Sequence, residues 1–367
     1  MKTTNKKATI QSTSTAIEDE QSLSNNNSII TDNKENINKL DDKFLNTMTL
    51  DELYDTSFAP KRQIVENFLY SGVYLFVGAP KVGKSFFMAQ LGYCVSKGIR
   101  LWDYDVKQGT VLYLALEDDY SRIQKRLSKM YGDDSTDKFH FTIKSKNIND
   151  GLNNQLKHFI DEHKDTSLII IDTLQKVREI GGESYSYAND YDVVTRLKKF
   201  ADENNICILV VHHTRKQLSD DSFDAISGTN GLLGASDGAF IMQKNKRINN
   251  SATIDISGRD CPDQRLNVNF NRERCVWELE SIENDISEEP PNPLLDKISE
   301  YIMKNNNEWC GTASDLLVEL EIYDIQPNFF SRQLNVNIER LQNDYSIYLS
   351  SKKTNKGRVL TLTYNDN

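Results

Sequence analysis

The sequence is poor in the features that mark secreted, metal-scaffolded or membrane-spanning chains. Its 367 residues hold only five cysteines, Cys94, Cys207, Cys261, Cys275 and Cys310. They are odd in number, widely scattered and form no CxxC pair, which argues against a zinc site and against a disulfide framework. That usage fits a reducing, cytoplasmic compartment. Long apolar runs are missing too. Leu168–Ile171 and Ile208–Val211 are far too short to span a bilayer, so no membrane association is expected. The N-terminus is polar from Met1 onward and has no signal-peptide core. Positive charge is outnumbered: 44 Lys and Arg face 54 Asp and Glu, for a net charge of −10. This excludes a globally basic nucleic-acid coat and confines any nucleic-acid contact to a local patch.

Apolar residues still make up 38% of the chain, enough for a packed core. They are unevenly spread. Residues 1–44, with "QSLSNNNSIITDNKENINK", are rich in Ser, Thr, Asn, Lys and Glu. Such a segment buries too little surface to offset its ordering entropy, so a disordered tail is expected. Over 45–282, strand-like and helix-like patterns alternate. Tyr74–Val77, Val111–Leu116, Phe139–Ile143, Leu168–Ile171 and Ile208–Val211 read as strands. Ser85–Lys97, Tyr120–Met130, Leu152–His163 and Val193–Asn204 read as helices. Continuous rather than alternating apolar strands indicate a sheet buried on both faces. The expected fold is therefore α/β with a mostly parallel central sheet. "ATIDISG" and "RLNVNFN" read as antiparallel hairpins added to it. Three of the seven prolines fall in "ISEEPPNP", 286–293. Proline and charge together predict a linker over 283–293, then a small domain over 294–367.

The most informative short stretch is "GAPKVGKSFF", Gly78–Phe87. Its spacing is G-x-x-x-x-G-K-[ST], with a strand-like "VYLFV" before it and a helix-like run after it, the context a phosphate-cradling loop requires. Gly78, Ala79, Pro80, Lys81, Val82, Gly83, Lys84, Ser85 and Phe86 are thus expected to contact a nucleotide. The two glycines turn backbone N–H groups toward the phosphates, and the following helix adds its N-terminal dipole. Lys84 is expected at the β- and γ-phosphates and Ser85 on Mg²⁺. The bland alternative is a chance match in a glycine-containing turn.

A second magnesium anchor is expected at the end of a buried strand. "SLIIIDT" supplies Asp172 there, unless that residue merely caps a turn. Hydrolysis also needs a group that orients the attacking water. "VLYLALEDD" ends a strand with Glu117, Asp118 and Asp119. Glu117 comes first after the apolar run and is expected to be the base, while Asp118 or Asp119 caps the next helix. "ILVVHHTRK" ends another strand with His212 and His213, one of which is expected near the γ-phosphate or the water. Adjacent side chains on a strand point to opposite faces, so the pair does not share one metal. The polar, Gly-rich loop that follows is expected to move, the alternative being an ordinary surface loop.

In this order, "GAPKVGKS", "LALEDD", "IIIDT", "VVHHTRK", "SGTNGLLGASDGAF" and "ISGRD" resemble the RecA-like ATPases of the RepA group, hexameric replicative helicases of plasmids and their relatives on phages and mobile elements. The resemblance covers about residues 55–280. It implies a RecA-type core in a ring, with ATP and Mg²⁺ held between neighbouring subunits, and a replication-initiation partner. It makes Glu117 the catalytic glutamate, Asp172 the Walker B aspartate, the histidines a phosphate-sensing strand end, and Arg259 a candidate arginine finger for a neighbour. The competing role for Arg259 is a hairpin salt bridge with Asp255 or Asp260. One departure is plain. The loop after the histidines, "QLSDDSFDAISG", is acidic where relatives are Gly- or Ser-rich, leaving Arg215 and Lys216 as its candidates for a phosphate backbone.

At the C-terminus, "NPLLDKISEYIMKNNN" has a helical apolar face, "GTASDLLVEL" offers Thr312 or Ser314 as a helix cap, and "QPNFFSRQLNVNIERLQND" is a third helix with Pro327 near its start. A strand, a basic turn and a strand follow. Three helices and a hairpin resemble a winged helix. Segment 326–358 carries Arg332, Arg340, Lys352, Lys353, Lys356 and Arg358 against Glu339 and Asp344. Such an edge suits DNA; the alternative is a protein contact. Together these readings give an ATP-hydrolysing, ring-forming helicase or loader acting on single-stranded or forked DNA in replication of a plasmid, phage or integrative element. The runner-up is a non-motor ATPase switch regulating transcription, partitioning or recombination. A small-molecule kinase is a weaker third.

Overall fold

Continuous apolar runs become the interior strands of one large sheet. The computed structural model describes residues 45, 47–178, 187–213, 230–244, 250–284, 290–354 and 357–365. It divides into two units, Lys61–Glu289 and a second made of the chain up to Pro60 together with Pro290 onward. The first described helix, α1 (Leu50–Asp55), belongs to the second unit.

In the larger unit a short ribbon, β1 (Gln63–Val65) and β2 (Leu69–Tyr70), precedes β3 (Gly72–Gly78) and α2 (Lys84–Lys97). Next come β4 (Thr110–Ala115), α3 (Tyr120–Tyr131), β5 (Phe139–Thr142), α4 (Leu152–Glu162), β6 (Thr166–Asp172), α5 (Leu174–Val177), α6 (Tyr187–Asn204) and β7 (Cys207–His213). The unit ends with α7 (Asn230–Ala235), β8 (Gly238–Gln243), β9 (Ser251–Gly258), β10 (Gln264–Asn271) and β11 (Val276–Asn284). The sheet order is β11-β10-β9-β8-β3-β7-β6-β4-β5. From β8 to β5 the strands are parallel, and β9 to β11 add the antiparallel edge. The expected mixed α/β class with a mostly parallel sheet is what the chain adopts.

Two cores flank this sheet, and side-chain alternation divides each strand between them. Leu209 and Val211 of β7 join Phe87, Met88 and Leu91 of α2 on one face. Ile208 and Val210 join Leu152 and Leu156 of α4 and Val194 and Leu197 of α6 on the other. Burying such a side chain stabilises by about 1.5–3 kcal/mol, so both faces hold the strand ends in register. α3 starts at the carboxyl end of β4 because Asp119 caps it, accepting from the Arg122 N–H.

The smaller unit contains α8 (Pro293–Lys304), β12 (Glu308–Gly311), α9 (Ala313–Glu319), α10 (Pro327–Val336), α11 (Ile338–Tyr345), β13 (Ile347–Thr354) and β14 (Gly357–Tyr364). β12, β14 and β13 form an antiparallel sheet in that order. Leu295, Ile298, Leu316, Phe330, Leu334, Leu341, Ile347, Leu360 and Leu362 fill its core. Thr312, rather than Ser314, caps α9, in a capping box with Asp315. The expected single third helix is two, breaking at Asn337, which leaves the helical region with ψ 19°. β12 was not expected as a strand. It is pinned by pairing with β14 and by buried Trp309, whose indole N–H donates to Glu319 at 2.7 Å. The expected ATPase domain starts at 45, whereas residues up to Pro60 group here instead, because Arg332, Asn335 and Arg358 hold the α1 segment.

Candidate nucleotide-binding site

The loop between β3 and α2 is shaped by close backbone approach. A Cβ on Gly78 would lie 2.6 Å from the Met242 carbonyl oxygen. Gly83 has φ +114° and its Cβ would lie 2.6 Å from the Trp277 ring, so neither position admits another residue without distortion. α2 begins with no side chain capping it. Its first N–H groups and its dipole are therefore disposed toward an anion.

Lys84 is buried beneath this loop. Its ammonium donates to the carbonyls of Gly78 at 2.7 Å and Ala79 at 3.0 Å. The third contact, at 2.9 Å, is His213 Nδ1. An ammonium only donates, so Nδ1 accepts and the imidazole proton sits on Nε2, which lies 3.6 Å from Glu117 Oε2. Burial pushes the Lys84 pKa down to about 8, against the opposing pull of the Asp172 and Glu117 carboxylates. Glu117 also accepts from Thr173 Oγ1 at 3.1 Å.

Asp172 ends β6, buried, and accepts two hydroxyls at one oxygen: Ser85 Oγ at 2.8 Å and Tyr113 OH at 2.9 Å. Burial raises its pKa, and those two hydrogen bonds partly offset the rise. Among the described residues no group of three or more His, Cys, Asp or Glu is placed to hold a metal ion. Magnesium in nucleotide sites needs no such cage; it takes one or two protein oxygens, water and phosphate oxygens. The Ser85–Asp172 oxygen pair fits that demand, and the uncapped loop with its buried lysine fits a polyphosphate.

The two histidines separate. His213 lies on the α2 face of the sheet with Val211, whereas His212 lies on the α6 face with Val210, where the Arg178–Asp190 ion pair (3.0 Å) contributes to its surroundings. Burial lowers the His212 pKa. Asp119 caps α3, and Asp118 is engaged by Arg126 at 2.7 Å. Of the loop residues, Ala79, Pro80 and Lys81 are exposed, Val82 is buried, and Phe86 meets Phe270 edge-on at 5.1 Å.

Arg259 follows β9 at the opposite end of the sheet. Gly258 pairs with Gly238, which pairs with Tyr74, four residues before Gly78. That is about 13 Å along a strand. Neither expected ion pair of Arg259 forms: Asp255 is taken by Arg265 and Asp260 by Lys61. Among the described residues the exposed guanidinium has one contact, a 3.4 Å approach to the Gly234 carbonyl. Arg215 and Lys216 lie outside the described residues.

The C-terminal basic residues do not form one open edge. Arg332 pairs with Asp55 at 2.8 Å and Asp51 at 3.1 Å, Arg358 donates to the Asp55 carbonyl, and Arg340 pairs with Asp344 at 3.3 Å. Lys352 and Lys353 are exposed on the hairpin, and Lys356 lies outside the described residues.

Four contributors escaped the sequence reading: Tyr113, Thr173, Gln90 and Trp277. The Trp277 indole N–H donates to the Gly83 carbonyl at 3.2 Å. Gln90 holds Trp277 in place, receiving its backbone N–H and donating to its carbonyl, both at 2.8 Å. The one available signal was a glutamine inside the apolar run "FFMAQLGYCV".

A protein-family model described as an AAA domain, AAA_25, matches residues 41–219. No curated protein matches the chain. Among solved structures, the chain is similar to an isolated ATPase domain at 14% identity, covering 57% of this chain and 85% of that one, with a TM-score of 0.48. A DnaB-like replicative helicase, studied with its interactions with primase, matches at 14% identity over 56% of this chain and 58% of that one, TM-score 0.48. A KaiC-like protein from the hyperthermophilic archaeon Pyrococcus horikoshii matches at 12% identity over 59% and 94%, TM-score 0.43.

Proposed function

We propose that the chain is an ATP-hydrolysing, ring-forming helicase or helicase loader that acts on DNA in replication of a plasmid, phage or integrative element. The observation that carries the ATPase reading is the convergence of Lys84, Ser85, Glu117, Asp172 and His213 at the carboxyl ends of β3, β4, β6 and β7. The AAA domain match over residues 41–219 supports it. Lys84 and the loop amides hold the phosphates, and Ser85 and Asp172 hold Mg²⁺, which when bound neutralises charge on the phosphate oxygens. Glu117 takes the proton of the attacking water. His213 ties the Lys84 ammonium to Glu117. Arg259, exposed and unpaired among the described residues, supplies positive charge to a neighbouring subunit's γ-phosphate.

The order helix, strand, helix, two helical segments and hairpin in the smaller unit supports a winged helix, and hence a DNA contact. A switch that regulates through this unit is the second reading. It is favoured by the internal engagement of Arg332 and Arg358. ATP turnover measured with and without single-stranded DNA, with particle mass at the same protein concentration, tests the choice. Stimulated turnover by a large assembly is expected of the motor. Turnover that ignores DNA favours the switch, and no turnover in any state overturns the ATPase reading.

A further inference from the structure

Helix α1 buries none of its own residues. Leu50 is 63% exposed and Leu53 47%, so apolar packing contributes little to holding it, and its Tyr54 ring lies under the Arg332 guanidinium at 6.0 Å. What fixes it is polar. Arg332 of α10 reaches Asp55 and Asp51, Arg358 of β14 donates to the Asp55 carbonyl, and Asn335 donates to the Tyr54 carbonyl at 3.0 Å. Ser57 closes the set by donating to Asn335 at 2.6 Å. Exposed ion pairs of this kind contribute about 0–1 kcal/mol each and weaken with salt. The contact is therefore exchangeable.

The groups beneath α1 have a chemistry of their own. Arg332 lies on the second helix of a helix pair, and Arg358 lies on the strand that completes the hairpin. Lys353 stands directly opposite Arg358 across that hairpin. Cross-strand neighbours of like charge repel, and an anion placed against them relieves the repulsion. Guanidinium forks suit phosphate as well as carboxylate. Helix and hairpin together supply two guanidiniums that hold one bound acidic segment, with Lys353 beside Arg358 on the hairpin.

We propose that this face, Arg332, Arg358 and Lys353, is a docking surface for the phosphate backbone of duplex DNA, and that α1 occupies it as an internal mimic through Asp51 and Asp55. Duplex DNA binds there only when α1 leaves. The proposal rests on the reading that the smaller unit contacts DNA.

Binding of a short fluorescent duplex by the full chain tests it. Asp51→Asn with Asp55→Asn removes the mimic's charge and is expected to tighten binding about tenfold, the gain from freeing a surface that is accessible about a tenth of the time. Glu308→Gln with Glu321→Gln, exposed acids of the same unit, makes the same change in net charge and is expected to alter affinity by less than about twofold through screened long-range attraction. Adding Arg332→Ala to the first pair is expected to abolish its gain. Equal tightening by both pairs, or a gain that survives Arg332→Ala, overturns the inference and leaves DNA binding intact. A gain confined to single-stranded DNA overturns the duplex assignment. Failure of every form to bind duplex or single-stranded DNA overturns the DNA reading itself.

Discussion

The nucleotide site and the α10–β14 face both gather charged residues, but they hold them differently. At the strand ends, Lys84 and Asp172 are buried, and their partners lie in the adjoining loop, on neighbouring strands or in the first turn of α2. On α10 and β14, the arginines are paired with a segment nearly three hundred residues away in sequence, 277 for Arg332 and Asp55, and every residue of that helix is exposed. A buried, mutually satisfied set is expensive to disturb, because each member left alone carries a desolvation penalty. An exposed set exchanges partners at low cost. The first arrangement suits chemistry; the second suits reversible binding.

Substitutions in the two regions should therefore differ in size. Arg259→Ala is expected to lower assembly-dependent ATP turnover by about 10³–10⁵ while ATP binding persists; turnover that stays normal at every protein concentration assigns the role to another residue. Lys84→Ala should lose both binding and turnover with the fold retained, read by nucleotide titration and circular dichroism. His213→Ala should cost about 10²-fold in turnover, with His212→Ala affecting it far less, because only His213 touches Lys84 and Glu117. Equal losses would merge what the sheet faces separate.

The low Lys84 pKa adds a pH dependence. Phosphate binding requires the ammonium, so above about pH 8 binding must take up a proton. Affinity for ATP is then complete below that pH and falls by about tenfold per unit above it, until the bound form's own pKa is reached. Isothermal titration in buffers of different ionisation enthalpy reads the proton directly. A flat profile between neutral and alkaline pH removes Lys84 from the phosphate contact. The smallest effect belongs to the support beneath the loop. Gln90→Leu strands the Trp277 backbone N–H, while its carbonyl still accepts from the Trp102 indole at 2.7 Å, and is expected to cost about 1–3 kcal/mol of stability, seen as a lower urea midpoint, with a weaker nucleotide site.

Much of this was legible in the sequence, for identifiable reasons. A strand buried on both faces must be apolar throughout, so β3, β4, β6 and β7 announce themselves. The first polar residue after each run then falls at the ligand end of the sheet, which is how Glu117, Asp172 and the histidines were found. What depended on strand order was not legible. Tyr113 reaches Asp172 because β4 lies beside β6. His213 could be chosen over His212 only once α2 was placed on the Val211 face. Trp277 supports Gly83 across 194 residues of sequence, and β12 exists only through its pairing with β14. The basic residues of the smaller unit were visible, but their engagement by α1 was not, since no local pattern links Asp55 to Arg332.

The most direct test of the central claim is a single-turnover measurement on Glu117→Gln with ATP and Mg²⁺. The amide keeps the size of the side chain and its contact with Thr173 but cannot take a proton from water. The account predicts ATP bound with near-normal affinity and hydrolysis slowed by about 10²–10⁴. Hydrolysis at the unaltered rate with binding intact would contradict it.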